Sequence, residues 1–241
     1  QARAAMPGLF GMSDSSDPHA DRFPGVLGVS RAAPGKLLDK LAVLGTENTL
    51  RKGQDLFRQG DEADALYVLR DGLLEISTLS GDGRRLAHIL LKPGTVFGEI
   101  ALFDGGRRSA TVTAKAHSRL LKVRGSRLQE ELRNNPDLAI DLLYLTIGRL
   151  RWMSEELNDY AFQPVGVRLA RRLVYLLQTV GKDGVIRIGQ GELAEHIGAT
   201  RETVSKSLTA LKERGIVEIG RGRIKVRDLD ALCELGAPGV V

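Results

Sequence analysis

Cysteine is almost missing: Cys233 is the single thiol in 241 residues. One thiol excludes an intramolecular disulfide framework, a cysteine-only zinc site and a cysteine-ligated iron–sulfur cluster within one chain. With no secretory apolar segment after the early Arg3, a reducing cytoplasm is the expected location. No run approaches the roughly 18 apolar residues of a membrane span, so no membrane partner is expected. Histidine is scarce as well. His19, His88, His117 and His196 show no metal-ligand spacing, and no nucleophile–base arrangement stands out, so neither a metal site nor catalysis is expected.

Glycine, by contrast, is plentiful at 28 residues, about 12% against a typical ~7%, which points to many tight turns. Apolar residues at 42% and charged residues at 27% fit a globular chain long enough for two domains. Charge is uneven. Residues 1–162 carry 22 basic and 21 acidic side chains, residues 163–227 carry 13 and 6, and the last fourteen are net acidic through Asp228, Asp230 and Glu234. Such a basic block suits a polyanion-binding face, although surplus solvated lysine and arginine produce the same count.

Residues 1–35, rich in Ala, Gly, Ser, Pro and Asp, predict a flexible arm. From about 48 to 123, short β-type runs alternate with glycine turns every 10 residues or so. Leu66–Leu69, Leu73–Ser77, Leu86–Leu91 and Ala110–Ala114 are such runs, and they predict an antiparallel barrel or sandwich. Pro136 opens a segment to Ala161 whose only glycine is Gly148, a helix of about 39 Å. On it Leu143, Ile147, Leu150, Ser154, Leu157 and Ala161 recur at spacings of four and three. That seam predicts pairing with the same helix of a second chain, the alternative being a helix lying on its own barrel. Phe162-Gln163-Pro164 predicts a hinge, followed by a helix over 165–180 with Arg168, Arg171 and Arg172 outward and a strand over 185–188.

Residues 190–209 fit a helix-turn-helix. Ala194 is small where two helices approach, Gly198 stands where the turn needs a left-handed backbone, and Val204 fills the angle between them. Thr200 predicts an N-cap whose hydroxyl accepts from Glu202 or Thr203. With Val204, Leu208 and Leu211 inward, Arg201, Glu202, Ser205, Lys206 and Thr209 face away. Arg201 can donate to guanine O6 and N7, Glu202 can accept from cytosine N4, and Lys206 can reach a guanine or a phosphate. A capped helix with merely solvated charges is the plainer reading. The basic surplus and the predicted hairpin over 215–226 favour double-stranded DNA.

A second motif runs from Phe97 to Val112. A short helix beginning near Gly98 would aim backbone N–H groups at an anion, and Arg108 after a glycine-rich turn can fork onto a phosphate beside Ser109. Glu99 would repel phosphate but can accept from a sugar hydroxyl, so the set suits a ribose phosphate. A Glu99–Arg108 ion pair tying the turn together is the plainer alternative.

The stretch Phe97-Gly98-Glu99-Ile100-Ala101-Leu102 through Arg107-Arg108-Ser109-Ala110-Thr111-Val112 resembles the phosphate-binding cassette of cyclic-nucleotide-binding domains. With a long helix and winged helix-turn-helix behind it, the chain resembles the bacterial cAMP receptor protein superfamily of transcription regulators over residues 36–227. The resemblance implies an α+β chain. Residues 1–35 would be an arm, 36–135 a cyclic-nucleotide-binding β-barrel of jelly-roll type, 136–161 a dimerisation helix and 162–241 the winged helix-turn-helix. It also implies cAMP as allosteric ligand, a homodimer on a palindromic operator with TGTGA-like half-sites, and RNA polymerase as partner. Ligand contacts fall on Gly98, Glu99, Ile100, Ala101, Arg108 and Ser109, with Met153 and Ser154 meeting the adenine, Met153 replacing the family's usual threonine. DNA contacts fall on Thr200, Arg201, Glu202, Thr203, Ser205 and Lys206, the lysine standing where arginine is common. A constitutive regulator, gating by another cyclic nucleotide or by haem on His88 or His117, and a regulatory subunit of an enzyme are the alternatives.

Overall fold

A computed structural model of the chain describes residues 33–237, so all but the last three positions of the expected arm lie outside the described residues. Helix α1 (Gly35–Leu44) buries Leu37, Leu41 and Leu44 at helical spacing. Eight strands follow: β1 (Thr46–Leu50), β2 (Asp55–Phe57), β3 (Ala65–Asp71), β4 (Leu74–Leu79), β5 (Arg85–Leu91), β6 (Val96–Phe97), β7 (Thr111–Ala114) and β8 (Ser118–Arg124). They form two antiparallel sheets, ordered β1-β8-β3-β6 and β2-β7-β4-β5. The sheets share no strand, so the expected barrel is an open jelly-roll sandwich. Strand β3 shows how the layers are made. Its run Ala65–Leu69 is buried throughout, Ala65, Tyr67 and Leu69 entering one core while Leu66 and Val68 enter the other. The period of two sends alternate side chains to opposite faces.

Helix α2 (Ile100–Phe103) interrupts the strands between β6 and β7. After β8, α3 (Gly125–Asn134) leads into the long α4 (Pro136–Phe162), which starts with proline at its first turn where no N–H is missed. Leu138, Leu142 and Trp152 fasten α4 to its own domain. Its seam residues Leu143, Ile147, Leu150 and Leu157 are exposed.

Gln163 ends α4 in an extended conformation and Pro164 caps α5 (Val165–Val180), at the expected hinge. The predicted outward arginines turn inward. Arg172, only 6% exposed, donates to the His88 carbonyl at 2.8 Å, Arg171 pairs with Asp159, and Arg168 donates to the Ile197 carbonyl at 2.9 Å. The carboxylates and carbonyls of α4, β5 and the C-terminal unit supply the partners that allow these charges inside. Strand β9 (Val185–Ile186) is shorter than predicted; α6 (Gln190–Ile197), α7 (Arg201–Glu213), β10 (Val217–Gly220), β11 (Arg223–Val226) and α8 (Leu229–Gly236) complete the chain. Strands β10, β11 and β9 make the wing sheet. Tyr175 of α5, buried against β5, accepts from Leu90 N at 2.8 Å, so one hydrophobic core runs from the sandwich into the C-terminal unit.

Candidate functional site

The cassette is assembled by a reversal at Gly98. Its φ of +85° belongs to glycine, and an added Cβ would lie 2.9 Å from an Arg108 terminal nitrogen. The chain then passes through Glu99 and α2, turns at Gly105 (φ +70°), and returns to pair Arg108 N with the Asp61 carbonyl at 2.8 Å. Arg108 is 3% exposed. Its two terminal nitrogens donate to the Gly98 and Ala65 carbonyls, both at 2.8 Å, its guanidinium lies 4.2 Å over the Phe57 ring, and its Nε has no partner. Burial pulls its pKa below the usual guanidinium value, partly offset by Tyr67 and nearby carboxylates.

Glu99 is 4% exposed, yet its partner is not Arg108. The carboxylate pairs with Arg149 of α4, which also donates to the Val96 carbonyl. The alternative of a Glu99–Arg108 ion pair is therefore corrected: the cassette glutamate is tied to the long helix, fifty residues along the chain. Arg149 escapes a sequence reading because it looks, like Arg151 two residues on, like a solvated charge; its only signal is its place one turn before Met153. The structure thus brings Gly98, Glu99 and Arg108 together with Arg149. Ala101 is buried beneath them, while Ile100 and Ser109 are exposed at the rim. Met153 and Ser154 lie on the exposed side of α4, Met153 at 53% exposure.

The second constellation is the helix-turn-helix. Gly198 caps α6 with φ 59° and ψ 43°, the left-handed conformation the turn requires. Thr200 Oγ1 accepts from Thr203 N at 3.2 Å and lies 3.0 Å from Thr203 Oγ1, the N-cap that fixes where α7 begins. Val204 and Leu208 are fully buried and Leu211 nearly so. Arg201, Glu202 and Lys206 are exposed on the opposite face, with Ser205 and Thr203 half-buried beside them. The Glu202 carboxyl is held below its usual pKa first by its own backbone N–H and then by Thr200, so it is an acceptor at neutral pH. The wing adds exposed Arg221 and Arg223.

Metal and haem chemistry find little support. Among the described residues, Glu75, Glu192 and His196 bring ligand atoms within 4.8 Å of one another, but the Lys115 ammonium already lies 2.6 Å from Glu192 and 3.5 Å from Glu75. His88 Nε2 is bound to Thr78 Oγ1 at 2.8 Å, and His117 is an exposed loop residue.

Comparison with known proteins matches the segments that carry the cassette and the helix-turn-helix to two families. Residues 47–135 match the cyclic nucleotide-binding domain family and residues 167–235 the Crp-like helix-turn-helix domain family. The chain is 37% identical over 186 residues to the cyclic AMP receptor protein of Thermus thermophilus, covering 76% of this chain and 85% of that one. It is 30% identical over 219 residues to the nitrogen fixation regulation protein FixK of Azorhizobium caulinodans, covering 88% and 86%. A solved CRP/FNR-family transcriptional regulator, also from Thermus thermophilus, superposes with a TM-score of 0.68 at 28% identity, over 79% of this chain and 98% of that one. Such proteins are DNA-binding transcription regulators that typically dimerise, not enzymes. A nucleotide-binding sandwich, a long helix and a winged helix-turn-helix in this order place the chain in the cAMP receptor protein superfamily of transcription regulators.

Proposed function

We propose that the protein is a cAMP-responsive, sequence-specific DNA-binding regulator that acts as a homodimer on palindromic operators in the cytoplasm, with RNA polymerase as its partner there. The ion pair between Glu99 of the cassette and Arg149 of α4 carries this reading. A ribose hydroxyl donating to Glu99 competes with Arg149 for the same carboxylate, and Arg149 sits on the helix whose apolar seam is exposed. Ligand entry therefore acts on the pairing of two α4 helices and, with the placing of the two protomers, on the spacing of the two copies of α7. Arg108 supplies the phosphate contact by exchanging its carbonyl bonds for phosphate oxygens. Arg201 and Glu202, with Lys206 one turn on, read base edges, and Thr200, Thr203 and Ser205 flank them on the same surface. The Thermus relative's name, cyclic AMP receptor protein, supports the choice of nucleotide.

A second reading, gating by another ligand or none, draws on two observations. Both terminal nitrogens of Arg108 are engaged by protein carbonyls, and Met153 lacks the hydroxyl that could meet an adenine. Titration of operator binding with cAMP, cGMP and cyclic di-GMP separates the readings. For the cAMP reading, wild type gains at least tenfold in operator affinity with cAMP while Arg108→Ala gains none and remains a dimer. Equal gains in the two proteins would reject the pocket, and a gain only with another nucleotide would reject cAMP.

A further inference from the structure

The most deeply buried carboxylate that this reading leaves unused is Glu75 on β4, 1% exposed. One of its oxygens accepts from Arg85 of β5, and the other lies 3.5 Å from Lys115 Nζ and 3.6 Å from His196 Nε2. Both cations also reach across to the helix-turn-helix. Arg85 meets Glu195 at 2.5 Å and Lys115 meets Glu192 at 2.6 Å. Glu192, Glu195 and His196 stand three and four apart on α6, so they share one face, and it is the face turned to the sandwich.

An exposed ion pair contributes little, but these differ in setting. Arg85 and Lys115 are about two-thirds buried, and the carboxylate beneath them is fully so. Burial by itself would lower the pKa of each cation; the bonds to Glu192, Glu195 and Glu75 more than reverse this, so both stay charged. A single glutamate beneath two cations leaves one positive charge unbalanced, and among the described residues Glu195 and Glu192 of α6 are the carboxylates paired with these cations beside Glu75. The sandwich thus presents a pre-charged socket to the first helix of the DNA-binding unit.

We propose that Glu75, Arg85 and Lys115 form an ionic clamp that fixes α6, and with it the recognition helix α7, in one orientation on the nucleotide-binding domain. The clamp rests on these ion pairs alone, and its regulatory consequence on the nucleotide-gated reading above. With the clamp closed, motion of the sandwich is passed to α7 as a rigid body. With it open, α7 still binds DNA but no longer follows the sensor.

The test uses the full-length protein with spin labels on Leu79→Cys and Thr209→Cys, both exposed positions, exchanged with excess unlabelled protein so that each dimer carries one labelled protomer, while buried Cys233 stays unlabelled. Pulsed electron–electron distance measurement is made on Glu192→Gln/Glu195→Gln and on a control, Glu213→Gln/Glu234→Gln, which removes the same charge from exposed sites off the clamp. The clamp predicts one narrow interdomain distance in wild type and control, and a distribution at least twice as broad in the α6 variant. An equally narrow distribution in the α6 variant would overturn it. Operator titration on the same glutamine variants with Leu79 and Thr209 left intact then reads the consequence: the cAMP-induced gain should fall at least threefold in the α6 variant only, and an unchanged gain would overturn the regulatory role. A wild type indifferent to every nucleotide would remove the gating reading, while the distance measurement still decides the clamp.

Discussion

His196 is 1% exposed between α6, α5 and the β4–β5 sheet, and its Nδ1 has no partner. Burial, and after it the Arg172 guanidinium, drives its pKa from 6.5 down to about 3. The imidazole is therefore neutral in the folded chain, whereas in the unfolded chain it takes up a proton near pH 6.5. Below that pH the unfolded state binds more protons, so stability falls with acidification at about 1.4 kcal/mol per pH unit from this one group, until pH nears 3. Chemical denaturation of His196→Gln between pH 6.5 and 5 should show a shallower loss than wild type, by about 1.6 kcal/mol over the interval. His88, pushed down by burial and then by Arg172, leaves the variant a residual slope. Identical slopes would mean that His196 is already charged in the fold. This behaviour was not legible in the sequence, where His196 differs in no way from a solvated histidine at the end of a helix. Arg108 and Gly98 were legible, because a turn glycine and an arginine ten residues apart form a pattern of their own.

At the scale of elements, α4 presents Leu143, Ile147, Leu150, Met153 and Leu157 to the outside at exposures of 44–68%. Burial of such side chains is worth roughly 1.5–3 kcal/mol each, so a lone chain forgoes a large stabilisation that a paired α4 recovers. Glutamate at Leu150 would bring a charge into the middle of that seam. We expect Leu150→Glu to sediment as a monomer with its helix content intact and to lose at least tenfold in operator affinity. A dimer of unchanged stability would place the interface elsewhere. The seam was readable because a repeat of four and three is local. Which side of α4 faces its own domain was not, since Leu138, Leu142 and Trp152 are no more apolar than the residues left outside. The same limit applies to α5. Its three arginines contribute to the basic surplus on paper, but the fold commits them to Asp159, Glu156, and the His88 and Ile197 carbonyls, not to DNA.

For the molecule as a whole, the exposed face of α7 and the apolar seam of α4 lie on either side of Gln163-Pro164 in the chain, and the proposed dimer must engage both. Two recognition helices about 34 Å apart meet one face of the duplex, a full helical turn between half-site centres. Inserting five base pairs between the half-sites turns one of them to the far side. Electrophoretic mobility shift should then record at least a hundredfold loss, and unchanged affinity would mean that each protomer binds alone.

Local patterns determined a good deal by themselves. The strand-and-turn rhythm, the long helix, the left-handed Gly198 and the Thr200 cap each depend on residues within a few positions of one another, where sterics and hydrogen bonding act without distant partners. Pairing across the chain was decided only by the tertiary structure. Two open sheets rather than a closed barrel, Glu99 held by Arg149 rather than Arg108, and a socket of Glu75, Arg85 and Lys115 gripping α6 all join residues far apart in sequence. A charged side chain carries no mark of whether water or a buried counter-charge will solvate it. That choice is made when the fold closes.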